Sequence, residues 1–197
     1  SKERTATVEP GVLLTALNRA AGKHGLVFGP DPASADRATV GGSVGNNATG
    51  AHSILYGMAA DHLVSADVAL SDGSLAVFAE ISLKEAERRA NMGESIEADL
   101  YRLALEIRSS HSDVIRQNWP RVWRRVSGYN LNYLLPWSPS VPPEWAYGNY
   151  PPIGENSLNM AMLMAGSEGT LGVMREVTLG LVPTRKHTSL GVLVFDS

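Results

Sequence analysis

Apolar and polar positions along this chain follow two periods. Alternation or short apolar runs at residues 5–8, 26–28, 62–70, 75–80 and 173–182 predict strands. The turn Ser71-Asp72-Gly73-Ser74 between two of them is a hairpin signal. Helical spacing recurs after Glu9-Pro10-Gly11, where Val12, Leu13, Leu17, Ala20 and Ala21 share a face that Gly25 terminates. Ser82 and Glu85 have the spacing of a capping box. They open a helical stretch to about residue 111, with Ile96, Leu100, Leu103, Leu105 and Ile107 as its apolar set and a break near Gly93. Residues 112–119 form a further helical piece, stopped by Pro120. Residues 157–164 read as a short apolar helix and residues 189–195 as a last strand. The pattern predicts an α+β fold with a mainly antiparallel sheet and flanking helices.

Between these segments lie stretches of a different kind. Residues 136–152 hold six prolines among Trp137, Trp145, Tyr147 and Tyr150, which predicts an irregular loop whose aromatics cover something. Two glycine-dense stretches, residues 29–50 and 166–172, are separated by ordinary globular sequence. In the first, Gly41, Gly42, Gly45 and Gly50 interleave with Ser43, Asn46, Asn47 and Thr49, a composition suited to a nest of N–H groups around a phosphate. Neither stretch has the GxGxxG spacing or the Gly-Lys-Ser/Thr ending of the common phosphate loops, so a nucleotide here needs another scaffold.

Composition narrows the partners. The chain has 197 residues, 44% hydrophobic and 19% charged, with a net charge of −3, which gives no footing for nucleic acid. With no cysteine there is no disulfide, thiolate metal site or cysteine nucleophile in it. No apolar run reaches membrane-spanning length, and the polar N-terminus has no signal-peptide core. Against the acidic average stands a small basic cluster, Arg121, Arg124 and Arg125, suited to a small anion. His24, His62, His111 and His187 lack metal-site spacing, and Met160, Met162 and Met164 read as packing.

Seven phrases then fall in one order: VEPGV at residues 8–12, PDPAS at 30–34, ATVGGSVGNNATG at 38–50, YG at 56–57, VALSDG at 68–73, RRVSGYNL at 124–131 and GSEGTLGV at 166–173. In that order they resemble the FAD-linked oxidases of the vanillyl-alcohol oxidase type, in the D-lactate, glycolate and D-2-hydroxyglutarate dehydrogenase branch. They are most similar to large members fused to an iron–sulfur oxidoreductase segment. The resemblance implies a PCMH-type FAD-binding domain, here its second subdomain, with the first subdomain and most of the cap domain missing. Residues 1–182 would be that subdomain, with a helical insert at about 82–120 and the proline and aromatic loop at 136–152. Residues 183–197 would begin the cap.

The same resemblance implies FAD contacts from Asp31, Pro32, Ser34, Gly41, Gly42, Ser43, Gly45, Asn46, Asn47, Thr49, Gly50, His52, Gly172 and Val173, those of the glycine stretch mostly through backbone N–H groups. Arg124 and Arg125 would meet a substrate carboxylate, while Glu168 reads as a carboxylate tying down its own glycine turn. The implied reaction is oxidation of a D-2-hydroxy acid to a 2-oxo acid, with hydride passing to flavin N5. No catalytic acid or base is assigned to this chain. Electrons would leave to an acceptor protein or a fused iron–sulfur segment, and a divalent metal would sit in the absent cap. The implied location is cytoplasmic, or peripheral at the inner membrane through that acceptor. The alternatives are a degenerate flavin-fold module without catalysis and a relative oxidising another alcohol or a sugar. The 197-residue piece by itself is expected to bind FAD poorly and to have no turnover.

Overall fold

The computed structural model describes residues 4–187, 189 and 191–194. Its centre is a five-stranded antiparallel sheet in the order β1-β6-β3-β4-β5, made of β1 (Thr5–Val8), β3 (Leu63–Ala69), β4 (Leu75–Ser82), β5 (Ser157–Asn159) and β6 (Val173–Gly180). A separate two-stranded ribbon pairs β2 (Leu26–Val27) with β7 (Val182–Pro183). That ribbon carries regular structure across the boundary expected at 182–183, because Pro183 pairs with Leu26. The fold class is the expected α+β. Alternation along the strands decides which face is covered: Ala66, Val68, Ala76, Phe78, Val177 and Leu179 point into the core, whereas Val64, Val77 and Val173 point out.

Helices close the buried face. α1 (Leu14–Gly22) turns Leu14, Leu17 and Ala21 inward. Ser82 caps α5 (Leu83–Ala90) by accepting from the Glu85 amide at 3.2 Å. The reciprocal half of the expected capping box does not form, because the Glu85 carboxylate is taken by Arg88 and Arg89. After the break at Gly93, α6 (Ile96–Ser110) packs Tyr101 edge-on against Phe78, with ring centres 6.2 Å apart. α7 (Ser112–Asn118) ends before Pro120.

One expected element is of another type. Residues 157–164 are not a helix: the first three form β5 against Glu80–Ser82, and Met160–Leu163 make a single 3₁₀ turn. The free edge of β4 offers unpaired main-chain groups there, and the Asn159 side chain caps the turn through the Ala161 amide, so tertiary pairing overrides local apolar spacing. The last expected strand, 189–195, includes residues 190 and 195, which lie outside the described residues; residues 191–194 are not in a strand.

Three short helices carry the chain from the ribbon to the sheet: α2 (Val40–Gly45), α3 (Ser53–Tyr56) and α4 (Ala59–His62). Asn47 locks them together. It is 1% exposed, sits in the left-handed region at φ 48°, accepts from the Ala60 amide at 2.9 Å and donates to the Arg125 carbonyl at 3.1 Å. Its amide is therefore fully used by the fold. Asn47→Ala leaves a buried donor and a buried acceptor unpaired and places a Cβ residue with no local hydrogen bond at positive φ; we expect a loss of about 3–5 kcal/mol. Urea denaturation of the variant checks this, and a loss below about 1 kcal/mol would refute the bracing role.

Candidate functional site

The first glycine stretch folds as a helical turn instead of an open nest. Thr39 caps α2 by accepting from Gly42 N at 3.1 Å. Val40 N donates to Val12 O, Gly41 N to Pro10 O, Ser43 N to Thr39 O, Asn46 N to Gly42 O and Asn47 N to Val44 O. The amides expected to surround a phosphate at Gly41, Gly42, Ser43, Asn46 and Asn47 thus already have partners, because the Pro10 carbonyl takes the first and the Thr39 cap and helical bonding absorb the rest. What the turn presents outward is surface without side chains.

The second glycine stretch is stapled to the end of that turn. Gly166 N donates to Val44 O and Glu168 N to Gly45 O, both at 3.1 Å. Gly166 sits at φ +83°, where an added Cβ would lie 2.6 Å from Gly128 O, so close approach of the 124–130 segment requires glycine there. Glu168 is tied through its amide, at φ 51°, while its side chain is exposed; the expected carboxylate anchor is replaced by a main-chain one. Together the two stretches line an open groove of about 510 Å³ with Pro10, Gly11 and Thr39. Gly41, Gly42, Gly45, Asn46, Gly172 and Val173 are on its walls.

The wall glycines do different work. At Gly41 and Gly172 a Cβ would meet Pro10 Cβ and Val68 Cγ1 at 2.6 Å, so these two serve packing of the chain on itself. At Gly45 and Gly169 a Cβ would meet nothing within 4 Å, which leaves room for an outside group against the backbone. A flavin dinucleotide fits this cradle in part. Glu168 is the one charged residue among the groove's lining, so neutral sections of such a ligand suit that end better than a pyrophosphate.

The remaining expected contacts are scattered around it. Ser43 and Asn47 are buried behind the turn, and the Ser43 hydroxyl has no hydrogen-bond partner. Asp31 is brought to the far side of the loop, where its Oδ1 accepts from His52 N at 2.9 Å and its Oδ2 meets His52 Nδ1. A Cβ on Gly50 would overlap the Asp31 main chain, so Gly50 serves this bracket. Pro32 and Ser34 lie in the turns that lead to α2, and Thr49 in the link between α2 and α3. The two arginines diverge. Arg124 is exposed, whereas Arg125 is 8% exposed, with Nη1 on Val122 O and its guanidinium 5.9 Å from the Trp119 ring centre.

One cluster carries no sequence signal. Asp61 is buried beneath the proline-rich loop. It accepts from Tyr133 Oη at 2.5 Å and from Met58 N at 2.7 Å, and a Cβ on Gly57 would lie 2.9 Å from Trp145 and overlap Asp61 itself. Burial pushes the Asp61 carboxyl up to about 6 despite its hydrogen bonds to Tyr133 and Met58 and the nearby Arg125 charge. Burial and the Asp61 charge hold the Tyr133 phenol well above its ordinary range, and the Tyr150 phenol is raised for the same reasons. His62, also buried, has its two ring nitrogens against Tyr56 O at 2.8 Å and Gly180 O at 3.2 Å, and burial pushes its pKa down. The aromatics of residues 136–152 thus cover a buried acid. Its partners come from segments far apart in sequence, and no spacing rule connects them.

The chain is similar in sequence to several known proteins. Residues 1–79 match the profile of the FAD binding domain family. The chain is 28% identical over 189 residues to D-2-hydroxyglutarate dehydrogenase of Pseudomonas putida, covering 96% of this chain and 17% of that protein. Shorter matches, of 39% over 70 residues and 40% over 72, link it to glycolate oxidase subunit GlcD of Escherichia coli and D-lactate dehydrogenase of Archaeoglobus fulgidus. Each of these covers 36% of this chain, with 14% of the first protein and 16% of the second. The chain therefore spans less than a fifth of the length of the relatives it matches. The resemblance to the D-2-hydroxyglutarate, glycolate and D-lactate branch of FAD-linked oxidases, read from the seven phrases, is borne out.

The Asp61 cluster sets a pH dependence. A carboxyl that titrates near 6 in the fold and at its ordinary 3.8 in the unfolded chain stabilises the fold fully below pH 3.8, and that contribution is lost as pH rises through 6. The loss is about 3 kcal/mol. His62 works the other way, since a lowered pKa gives stability that is lost on acidification. Asp61→Asn isolates the first term: between pH 4 and pH 7 the stability of the wild type relative to the variant should fall by about 2 kcal/mol in paired urea titrations. A constant difference would show that Asp61 ionises as freely in the fold as out of it.

Proposed function

We propose, for a chain whose residues 1–79 match the FAD binding domain family, that the full-length protein is an FAD-dependent dehydrogenase oxidising a D-2-hydroxy acid to the 2-oxo acid. The observation that carries this is the groove in which two distant glycine stretches meet with open backbone at Gly45 and Gly169. The relatives with which the chain shares sequence are named for hydroxy-acid oxidation. When bound, FAD supplies the acceptor for the substrate's hydride.

The chain's own part is to hold and to orient. Gly41, Gly42, Gly45 and Asn46 form one wall of the cofactor's bed and Gly172 and Val173 the other, with Ser43 and Asn47 bracing the turn from behind. The acidic, cation-free groove suits the adenosine half, so counter-charge for the pyrophosphate comes from elsewhere in the full-length protein. Residues 1–182 form this cofactor-binding part, with residues 82–120 as a helical insert, and residues 183–197 lead into a substrate-holding domain. Arg124, exposed just before the SGYNL phrase, is available to a substrate carboxylate, whereas Arg125 is buried against Val122 and Trp119.

Electrons leave through a carrier protein or an iron–sulfur segment. The clusters of such a segment draw their ligands from outside this chain, which has no cysteine. No helix of the described residues is long and apolar enough to cross a membrane. The location proposed with this function is cytoplasmic, with any membrane contact made through the acceptor.

The flavin spectrum of full-length protein tests the reading first: a well-folded preparation devoid of flavin would make this a flavin-fold module without catalysis. A sharper test is Gly45→Leu. An added Cβ at Gly45 meets nothing within 4 Å, and leucine is the better helix former by about 0.5–1 kcal/mol, so thermal stability should fall by no more than about 1 kcal/mol. The same side chain fills the groove, and FAD affinity should fall by about a hundredfold, measured by fluorescence titration of the apoprotein, since overlap with a bound ligand costs several kcal/mol. Unchanged affinity would remove the cofactor from this groove.

A further inference from the structure

A second concave site, separate from the groove, shares a loop with it. It is a cavity of about 280 Å³ walled by five segments: Phe78 from β4, Leu103 and Ala104 from α6, Tyr129 from the segment before the first 3₁₀ turn, Met164 after the second, and Leu171 from the second glycine stretch. Phe78, Ala104 and Met164 are each 2% exposed and form its floor. Leu103 and Tyr129, 53% and 42% exposed, stand at its mouth.

The lining fixes what the cavity can hold. Among the described residues it contains no charged side chain, and its one side-chain hydroxyl, Tyr129 Oη, is paired with Thr170 Oγ1 at 2.8 Å. A buried water needs two to four polar partners, so water is a poor occupant here. An apolar cavity of about 150 Å³ stays dry and accepts benzene, and one nearly twice that size accepts about two fused rings. Phe78 and Tyr129 offer ring faces and edges, and Met164 a polarizable sulfur, which together favour an aromatic guest over an alkyl chain. A protein interior keeps few voids of this size, because an unfilled one lowers stability in proportion to its volume.

The wall that the cavity shares with the groove gives the site a consequence. Leu171 faces the cavity, whereas Gly169 and Gly172 on either side of it face the groove. Thr170 between them is held by Tyr129 Oη and donates to Ser167 O at 2.6 Å. A guest packed against Tyr129 and Leu171 therefore steadies the same loop that walls the groove, and the ordering of that loop need not be supplied again by a ligand on its other side.

We propose that this cavity binds one small, uncharged aromatic molecule of about two fused rings, and that its occupation tightens the groove's hold on its own ligand. The coupling rests on the reading of the groove as a cofactor bed; the cavity site does not.

The test uses full-length protein, with naphthalene as the probe and 2-naphthoate as its charged counterpart. Naphthalene should bind in equilibrium dialysis with a Kd of about 10–100 μM. Naphthoate, whose charge finds no partner in the cavity, should bind at least about tenfold more weakly. Ala104→Leu fills the floor and should raise the naphthalene Kd by at least about tenfold with thermal stability retained. Leu103→Asp acts from the exposed mouth, leaves the floor intact and should weaken naphthalene to a similar extent, so the result does not depend on how the filled variant folds. Saturating naphthalene should lower the FAD Kd of the wild-type apoprotein about fivefold and leave that of Ala104→Leu unchanged. A wild type that ignores naphthalene, equal affinity for naphthoate, or wild-type affinity in both variants would overturn the cavity site. An FAD Kd indifferent to naphthalene would overturn the coupling. Apoprotein that binds naphthalene but no FAD would remove the cofactor reading and the coupling with it, and leave the cavity site in place.

Discussion

The carbonyl oxygens of Val44 and Gly45 accept from the amides of Gly166 and Glu168, and this pair of main-chain bonds is what the rest of the site depends on. The end of a helical turn leaves carbonyls without intrahelical partners, and a buried carbonyl without a partner is costly. Here Glu168 N, from a loop far along the chain, supplies the donor for Gly45 O, and Gly166 N adds a second donor to Val44 O, which already accepts from Asn47 N. Satisfying them draws the two glycine stretches into one groove, and the price is positive φ at Glu168, a conformation that side chains rarely adopt.

Around that staple the fold divides its polar residues into braces and free ends. Asn47 spends its amide on Ala60 and Arg125, and His62 sets its ring nitrogens against Tyr56 and Gly180. Asp61 accepts from Tyr133 and Met58 under the aromatics of the proline-rich loop. These groups are buried, so their hydrogen bonds make the geometry specific, and little is left with which to meet a ligand. The free ends lie outside the core: open backbone at Gly169, the exposed guanidiniums of Arg124 and Arg185, and Nε2 of His52.

Much of the fold was legible in advance because local rules and tertiary demands agreed. The hairpin at Asp72-Gly73, the Ser82 cap and the break at Gly93 follow from turn and cap chemistry that acts within a few residues. The apolar run at 157–164 was misassigned because the free edge of β4 captured its first three residues, a partner that helical spacing does not register. In the site, composition pointed to both glycine stretches. It did not foresee that helical bonding would consume the amides of the first one.

What the sequence determined by itself was the fold class, the positions of most elements, and a resemblance carried by seven phrases in order, since each depends on short-range pattern. Tertiary structure alone decided which of two adjacent arginines is buried, which glycines face their own chain and which face open space, and which side chains surround Tyr56. Those outcomes are set by contacts between residues distant in sequence, and such contacts leave no periodicity to read. Asp31 and His52 are 21 positions apart and Tyr56 and Arg185 are 129 apart, yet they form one patch only because the sheet and its ribbon bring them there.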